Sequence, residues 1–267
     1  MTKVSVIIPC YNQGHFVDEA VDSVLAQTFA DLEIIIVNDG STDPATNRIL
    51  RDYKKPKTCV LHTKNHRLGG ARNNGIRAAS GEYILPLDAD DRIGTTYVEQ
   101  AVRALESDPN LGIAYCEAEY FGARTGKWDL PPYGFPDILL GNSIFCTALF
   151  RKSDWEAVGG YRTDLSLWED YDFWLSIIEL GRTVHQIPEV LFYYRQHPDS
   201  MLSKAAKQQR VFPYGQIMRN HPKLFFNNSE IFAEHILALR RRIVILEDTI
   251  TTMRRSRFYK LGQFFGR

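Results

Sequence analysis

Val4-Ser5-Val6-Ile7-Ile8-Pro9-Cys10-Tyr11-Asn12 is a β-branched run stopped by a proline and followed by polar residues. A continuous apolar run of this kind reads as a buried parallel strand. Working outward, Val17, Ala20, Val21, Val24 and Leu25 recur at helical spacing. Glu33-Ile34-Ile35-Ile36-Val37 is a second strand, ended by the turn residues Asn38-Asp39-Gly40-Ser41. Thr42-Asp43-Pro44 opens a second helix, where proline suits the first turn. Strands over 58–62 and 83–87 and a helix over 69–79 continue the alternation, in steps of about 25 residues. The first 90 residues are therefore expected to form a parallel, doubly wound sheet, whose ligands bind beyond the carboxyl ends of the strands. Polar clusters fall at those ends: Cys10-Tyr11-Asn12, Asn38-Asp39-Gly40, Asn65-His66 and Asp88-Ala89-Asp90-Asp91.

After Asp91 the pattern loosens. A helix is expected over 96–106, strands over 113–116 and 144–150, a helix over 171–180 and a last strand over 190–194. The stretch between 116 and 144 holds Trp128, Pro131, Pro132, Tyr133 and Phe135. It suits a substrate loop or an ordinary surface loop. Beyond about residue 205 the period changes. Phe232, Leu239, Leu246 and Met253 recur every seven residues, and Ile236, Ile243 and Ile250 do the same. Isoleucine at one seam position and leucine at the other favours a parallel two-stranded coiled coil, with Arg242 and Glu247 at the flanks. Packing on its own domain and contact with a membrane surface through the arginines are the other readings of this helix. The expected organisation is one domain over 1–205 and a helical extension over 206–267, with a heptad segment over 232–253 and a basic tail.

At 267 residues and 44% hydrophobic composition, the chain can bury one sizeable α/β core. Basic and acidic residues number 32 each, so charge predicts no nucleic-acid partner. The balance hides an asymmetry: residues 240–267 hold eight Lys/Arg and two Asp/Glu. Cys10, Cys59, Cys116 and Cys146 form no CxxC pair and read as small buried hydrophobes of a reduced compartment. No apolar run approaches the roughly 18 residues of a membrane span. A cytoplasmic protein is expected, held at the membrane periphery by its basic tail if at all.

Asp88-Ala89-Asp90-Asp91 places three carboxylates in four residues straight after an apolar strand. Like charges so close repel and raise their pKa values unless a cation arrives. A hard divalent ion, Mg²⁺ or Mn²⁺, is the natural partner and commonly bridges carboxylates to phosphates. An exposed acidic turn or a helix N-cap is the competing reading, since Asp favours both.

The segments Val6-Ile7-Ile8-Pro9-Cys10-Tyr11-Asn12, Ile36-Val37-Asn38-Asp39-Gly40-Ser41-Thr42-Asp43, Gly69-Gly70-Ala71-Arg72-Asn73-Asn74-Gly75-Ile76, Leu87-Asp88-Ala89-Asp90-Asp91 and Glu169-Asp170-Tyr171-Asp172 occur in one order. Together they resemble the inverting family 2 glycosyltransferases of the GT-A fold, over residues 4–200. The resemblance implies an α/β GT-A fold with a mainly parallel nucleotide-binding sheet flanked by helices. It also implies transfer of a sugar from a nucleoside-diphosphate sugar, by default a UDP-sugar, to a glycan, lipid-linked or protein acceptor. It places Pro9, Tyr11, Asp39, Asn65, Arg72 and Asp88 around the nucleotide, with Asp88 on the ribose. Asp90 would bind the metal, with His197 as a further ligand, and Asp91 leaves that register ambiguous. Arg195 is a comparable candidate for the diphosphate. Asp170 would be the general base, supported by Glu169, and Trp168 would offer a flat wall to the acceptor sugar. The rival enzymes lack their loops here: no Gly-rich turn follows the first strand, as dinucleotide binding requires. A non-catalytic sugar-nucleotide-binding or assembly protein, acting through its coiled coil, is the alternative from another class.

Overall fold

A computed structural model describes residues 3–197 and 211–255. The chain divides into two compact units, 1–133 with 142–222, and 134–141 with 223–267. The first begins with β1 (Val4–Cys10), α1 (Val17–Leu25), β2 (Leu32–Asp39), α2 (Pro44–Arg51), β3 (Thr58–Thr63), α3 (Arg67–Ala78) and β4 (Tyr83–Pro86). It continues with β5 (Arg92–Ile93), α4 (Tyr97–Ser107), β6 (Leu111–Gly122) and β7 (Gly126–Lys127). It closes with β8 (Leu149–Arg151), α5 (Lys152–Val158), α6 (Glu169–Glu179), β9 (Thr183–Gln196) and α7 (Val211–Asn220).

The strand order is β3-β2-β1-β4-β8-β6-β9-β5, with β7 paired to β6. The pairs β3-β2, β2-β1 and β1-β4 are all parallel, as the alternating first part of the sequence requires. Then β8 enters antiparallel between β4 and β6. Parallel pairing of β6 with β9 carries the sheet on, with register shifts near Cys116 and Glu117. Short β5 lies antiparallel to the end of β9, Arg92 opposite Tyr193.

The core sits on both faces of this sheet. β1 is buried along its whole length. α1 buries Val17, Ala20, Val21 and Val24, and α4 buries Tyr97, Val98, Ala101, Val102 and Leu105. Each buried valine or leucine among them contributes about 1.5–3 kcal/mol over an exposed one. Asp43 caps α2, its carboxylate accepting from the Ala45 and Thr46 amides. α3 packs against β1 and β2 so closely that Gly75 leaves no room for a Cβ against Ile7 and Val37.

Some expected boundaries moved. β1 continues through Pro9, which pairs with Val37. The Ile7 carbonyl accepts from Leu87, so the amide that Pro9 lacks would face the same side, where β4 has already ended at Pro86. β6 and β9 are much longer than the expected 113–116 and 190–194, whereas the 144–150 strand shrinks to β8. Cys59 is exposed, because β3 is the edge strand and alternation turns that side chain outward.

In the second unit, residues 134–141 contain a 3₁₀ turn at Asp137–Leu140. Residues 223–255 supply all but the first residue of α8 (Pro222–Asn227) and the whole of α9 (Ser229–Arg255). Phe225 stacks on Phe232 with ring centroids 5.6 Å apart. The basic tail expected beyond 255 lies outside the described residues.

Candidate active site

The polar ends of β1, β2, β3 and β4 meet at one edge of the parallel sheet. Asn12, in the left-handed region at φ 58°, laces the first loop to the second. Its amide side chain accepts from the Thr42 and Asp43 amides at 2.8 and 2.9 Å and donates to Thr42 Oγ1 at 3.0 Å. Pro9 is buried in β1 and Tyr11 beside it is exposed. Asp39 is buried at the end of β2, where Oδ1 accepts from the His66 amide at 2.9 Å and Thr63 Oγ1 at 3.3 Å. Gly40 follows at φ +67°, and a Cβ there would lie 2.6 Å from the Asn65 amide nitrogen. Asn65 is exposed, its Oδ1 accepting from the Arg67 amide at 3.2 Å. Pro9, Tyr11, Asp39 and Asn65 thus share this edge of the sheet.

Behind that edge lies a carboxylate–guanidinium chain. Arg72 on α3 is 1% exposed. Its guanidinium donates to Asp88 Oδ1 at 2.9 Å and to Glu169 Oε1 at 2.6 Å. Burial disfavours its charge, but Asp88 and Glu169 outweigh that and hold it firmly protonated. The guanidinium expected beside the base and phosphates is therefore engaged by two protein carboxylates, and acts on anything bound through them. Cys146 Sγ reaches Asp88 Oδ2 at 3.5 Å, and burial pushes its thiol up.

The remaining acids of the Asp88–Asp91 loop divide cleanly. Asp90 Oδ2 meets His197 Nε2 at 2.9 Å and Gln13 Nε2 at 3.0 Å. Burial, then the charge of Asp88, raises the Asp90 carboxyl above its ordinary range. Asp91 is 1% exposed and turned toward β9, where Oδ1 accepts from the Arg195 amide at 2.8 Å. Its Oδ2 is buried without a hydrogen-bond partner, and burial followed by Asp90 and Asp88 lifts its pKa far up. Arg195 donates to the Asp90 carbonyl at 2.7 Å, pairs with Glu19 and stacks between Phe16 and Phe121. Its fork is committed to holding the loop.

Asp170 lies in the first turn of α6, beside Glu169. It is half-buried, and Asn142 Nδ2 donates to it at 3.4 Å. Burial, then the charge of Glu169, pushes its carboxyl up to about 7. Trp168 precedes it in the left-handed region at φ 65°, its ring edge-on to Tyr214 at 6.5 Å. Asp172 leaves the site and takes Arg162 and Asn220. Trp128 stacks on Tyr120 at 5.3 Å and approaches Tyr194 at 4.8 Å. Burial, then the charges of Asp91 and Asp88, raises the Tyr194 hydroxyl above its ordinary range.

The donor set fits a divalent ion. Asp90 and His197 converge at hydrogen-bond distance, one offering carboxylate oxygen and the other imidazole nitrogen. The raised Asp90 and Asp91 carboxyls are groups that a nearby cation would relieve. Among the described residues no group of three or more His, Cys, Asp or Glu is arranged around one ion.

Sequence reasoning missed Gln13, Glu19, Asn142 and Cys146. Gln13 follows Tyr11-Asn12 at the end of β1, a position the strand-end argument could have reached. Glu19 and Cys146 carry no local signal, since a helix-surface acid and an apolar-looking cysteine acquire meaning only from what lies opposite.

The model of the family described as Glycosyl transferase family 2 matches residues 5–160. An uncharacterised glycosyltransferase of Rickettsia typhi is 32% identical over 217 residues, 77% of this chain and 67% of that protein. The chondroitin synthase of Escherichia coli is 32% identical over 189 residues, 68% of this chain and 27% of that much longer protein. Among solved structures, S. aureus TarS 1–349 in complex with UDP-GlcNAc superposes with TM-score 0.67 at 20% identity, over 81% of this chain and 64% of that one. The mannosyltransferase PcManGT of Pyrobaculum calidifontis, in complex with GDP-Man and Mn²⁺, gives TM-score 0.60 at 20% identity, over 97% and 82%. At such identities these two structures bear on the fold.

Proposed function

Because the chain belongs to glycosyl transferase family 2, we propose that it moves a sugar from a nucleoside-diphosphate sugar to an acceptor hydroxyl with inversion, Asp170 acting as base. The observation that carries this reading is the buried Arg72, which ties Asp88, on the donor side, to Glu169 beside Asp170. The group that must hold a ribose and the neighbour of the group that must remove a proton are fixed to one guanidinium, so the two sides of the site are tied together before substrate arrives.

The base lies against Pro9 and Tyr11 in this reading, with Asp39 accepting a base N–H and Asn65 near by. Asp88 holds the ribose hydroxyls. Trp168, with the Trp128 and Tyr194 rings, offers apolar faces to acceptor sugars. As the acceptor oxygen attacks the anomeric carbon, its proton passes to Asp170, and the bond to the diphosphate breaks with its electron pair leaving on phosphate. A raised Asp170 suits this step, since a base is most effective with its pKa near the working pH. A divalent ion held by Asp90 and His197 would supply positive charge to the departing diphosphate. Mn²⁺ or Mg²⁺ fits that mixed oxygen–nitrogen set. A UDP-sugar is the first donor to test and a GDP-sugar the second, given the UDP-GlcNAc and GDP-Man complexes of the structural neighbours. A growing polysaccharide is the acceptor class that the chondroitin synthase relative suggests. Among the described residues no helix is long and apolar enough to cross a membrane, which is compatible with work at a cytoplasmic membrane face.

The test is a thermal-shift screen of sugar nucleotides with and without Mn²⁺, followed by turnover of the stabilising donor. One sugar nucleotide should raise Tm in the presence of metal, because binding stabilises the folded state by mass action. Wild type should then release nucleoside diphosphate, and Asp170→Asn should keep the Tm shift and lose release. Equal, background-level release by both proteins with every acceptor tried would sink the catalytic reading in favour of a binding or assembly protein.

A further inference from the structure

We propose that α9 joins two copies of this chain as a parallel, two-stranded coiled coil. The helix is 27 residues long, and Ile236, Leu239, Ile243, Leu246, Ile250 and Met253 along one side of it are each 47–60% exposed. Helices draw most of their stability from burying an apolar face, and this face is left in water in a single chain. The spacing of these six residues alternates between three and four, which is the seam of a coiled coil, and the exposed Leu237, Val244 and Ile245 flank it. Phe232, one step earlier in the same series, is already stacked on Phe225, so the free seam opens at Ile236.

The occupant follows from the residues. Isoleucine at 236, 243 and 250 and leucine at 239 and 246 form the combination that selects two parallel strands. In that register Arg242 precedes one isoleucine and Glu247 follows the next leucine, so Arg242 of one copy faces Glu247 of the other, twice by symmetry. Glu234, Arg241, Asp248 and Arg255 recur every seven residues on the outer face, where water would remain. A membrane surface is a poorer match. The helix holds five arginines against four acidic residues, close to neutral, and Glu247 borders the apolar seam.

Sedimentation equilibrium of the full chain tests this directly. Wild type should sediment as two chains. Ile243→Asp places an unpaired charge in the seam and should raise the dimer dissociation constant at least about tenfold. Arg242→Glu and Glu247→Arg should each weaken the dimer, and the two together should restore it. Leu246→Cys should cross-link two copies under mild oxidation, because equal positions face each other only in the parallel arrangement. Circular dichroism guards against simple unfolding of the variants. A wild type that sediments as one chain overturns the proposal, and so does a single chain that pellets with anionic vesicles. A dimer indifferent to Ile243→Asp, a charge reversal without rescue, or a Leu246→Cys chain that does not cross-link overturns it equally.

Discussion

Asp170 and Arg72 show how much one side chain depends on its neighbours. Asp170 keeps its proton up to about 7, through burial first and the charge of Glu169 second. If it is the base, only its ionised form works, so kcat/KM falls with unit slope as pH drops below that value. Glu169→Gln removes the second cause and should move this acid limb to lower pH; an unmoved limb would assign the proton elsewhere. The sign for stability is opposite. A carboxyl whose folded pKa exceeds its unfolded one binds more protons folded than unfolded, so stability falls as pH rises through that interval. Asp170→Asn should therefore raise Tm at pH 8 while turnover is lost. Arg72→Met should do the reverse to the fold. It strands the buried Glu169 and the half-buried Asp88 and should cost about 3 kcal/mol in urea unfolding at pH 7. The types and positions of Asp39, Asp88, Asp90 and Asp170 were legible in the sequence, because each follows a strand or opens a helix. That Arg72 would face Glu169, 97 positions away, was not, since no local pattern encodes which residue comes to lie opposite.

At the scale of elements, β1 to β4 were legible because their apolar runs are continuous and their breaks chemical. β6 and β9 were underestimated: their outer halves are only half-buried and carry Glu117, Glu119, Tyr193 and Arg195, which break the apolar run. β8 was overestimated because apolar residues 144–148 pack as loop and not as ladder. The junction into α6 was invisible, since nothing in Leu167-Trp168-Glu169 announces a left-handed residue. Trp168 at φ 65° carries that strain. Glycine tolerates this region and alanine does not, so Trp168→Gly should unfold about 1 kcal/mol less readily than Trp168→Ala. Both lose the ring, and the difference in urea midpoint isolates the backbone.

For the molecule as a whole, metal and nucleotide should depend on each other. In the proposed reading the protein would bring two ligands, Asp90 and His197, and no third is arranged beside them among the described residues. Calorimetric titration with Mn²⁺ should thus give weak binding to the protein alone and much tighter binding once nucleoside diphosphate is present. Thermodynamic reciprocity requires the metal to tighten the nucleotide by the same factor. Chelation should leave the Tm of the free protein unchanged and abolish the shift produced by the donor. Metal affinity that is equally strong with and without nucleotide would show that the chain holds the ion unaided.

The clasp between β9 and the Asp88–Asp91 loop has a consequence in time. Arg195 and His197 reach back across 104 and 107 positions to Asp91 and Asp90. Such long-range closures come late in folding, because the entropy of a long loop must be lost before the contact returns anything. A nascent chain emerging from the ribosome can assemble β1, β2, β3 and β4 early, with Asp88 already against Arg72, yet Asp90 and Asp91 lack their β9 partners at that edge until β9 has been synthesised. The site would be the last part of the sheet to set, and a chaperone that met the chain in that interval would find the parallel half already folded.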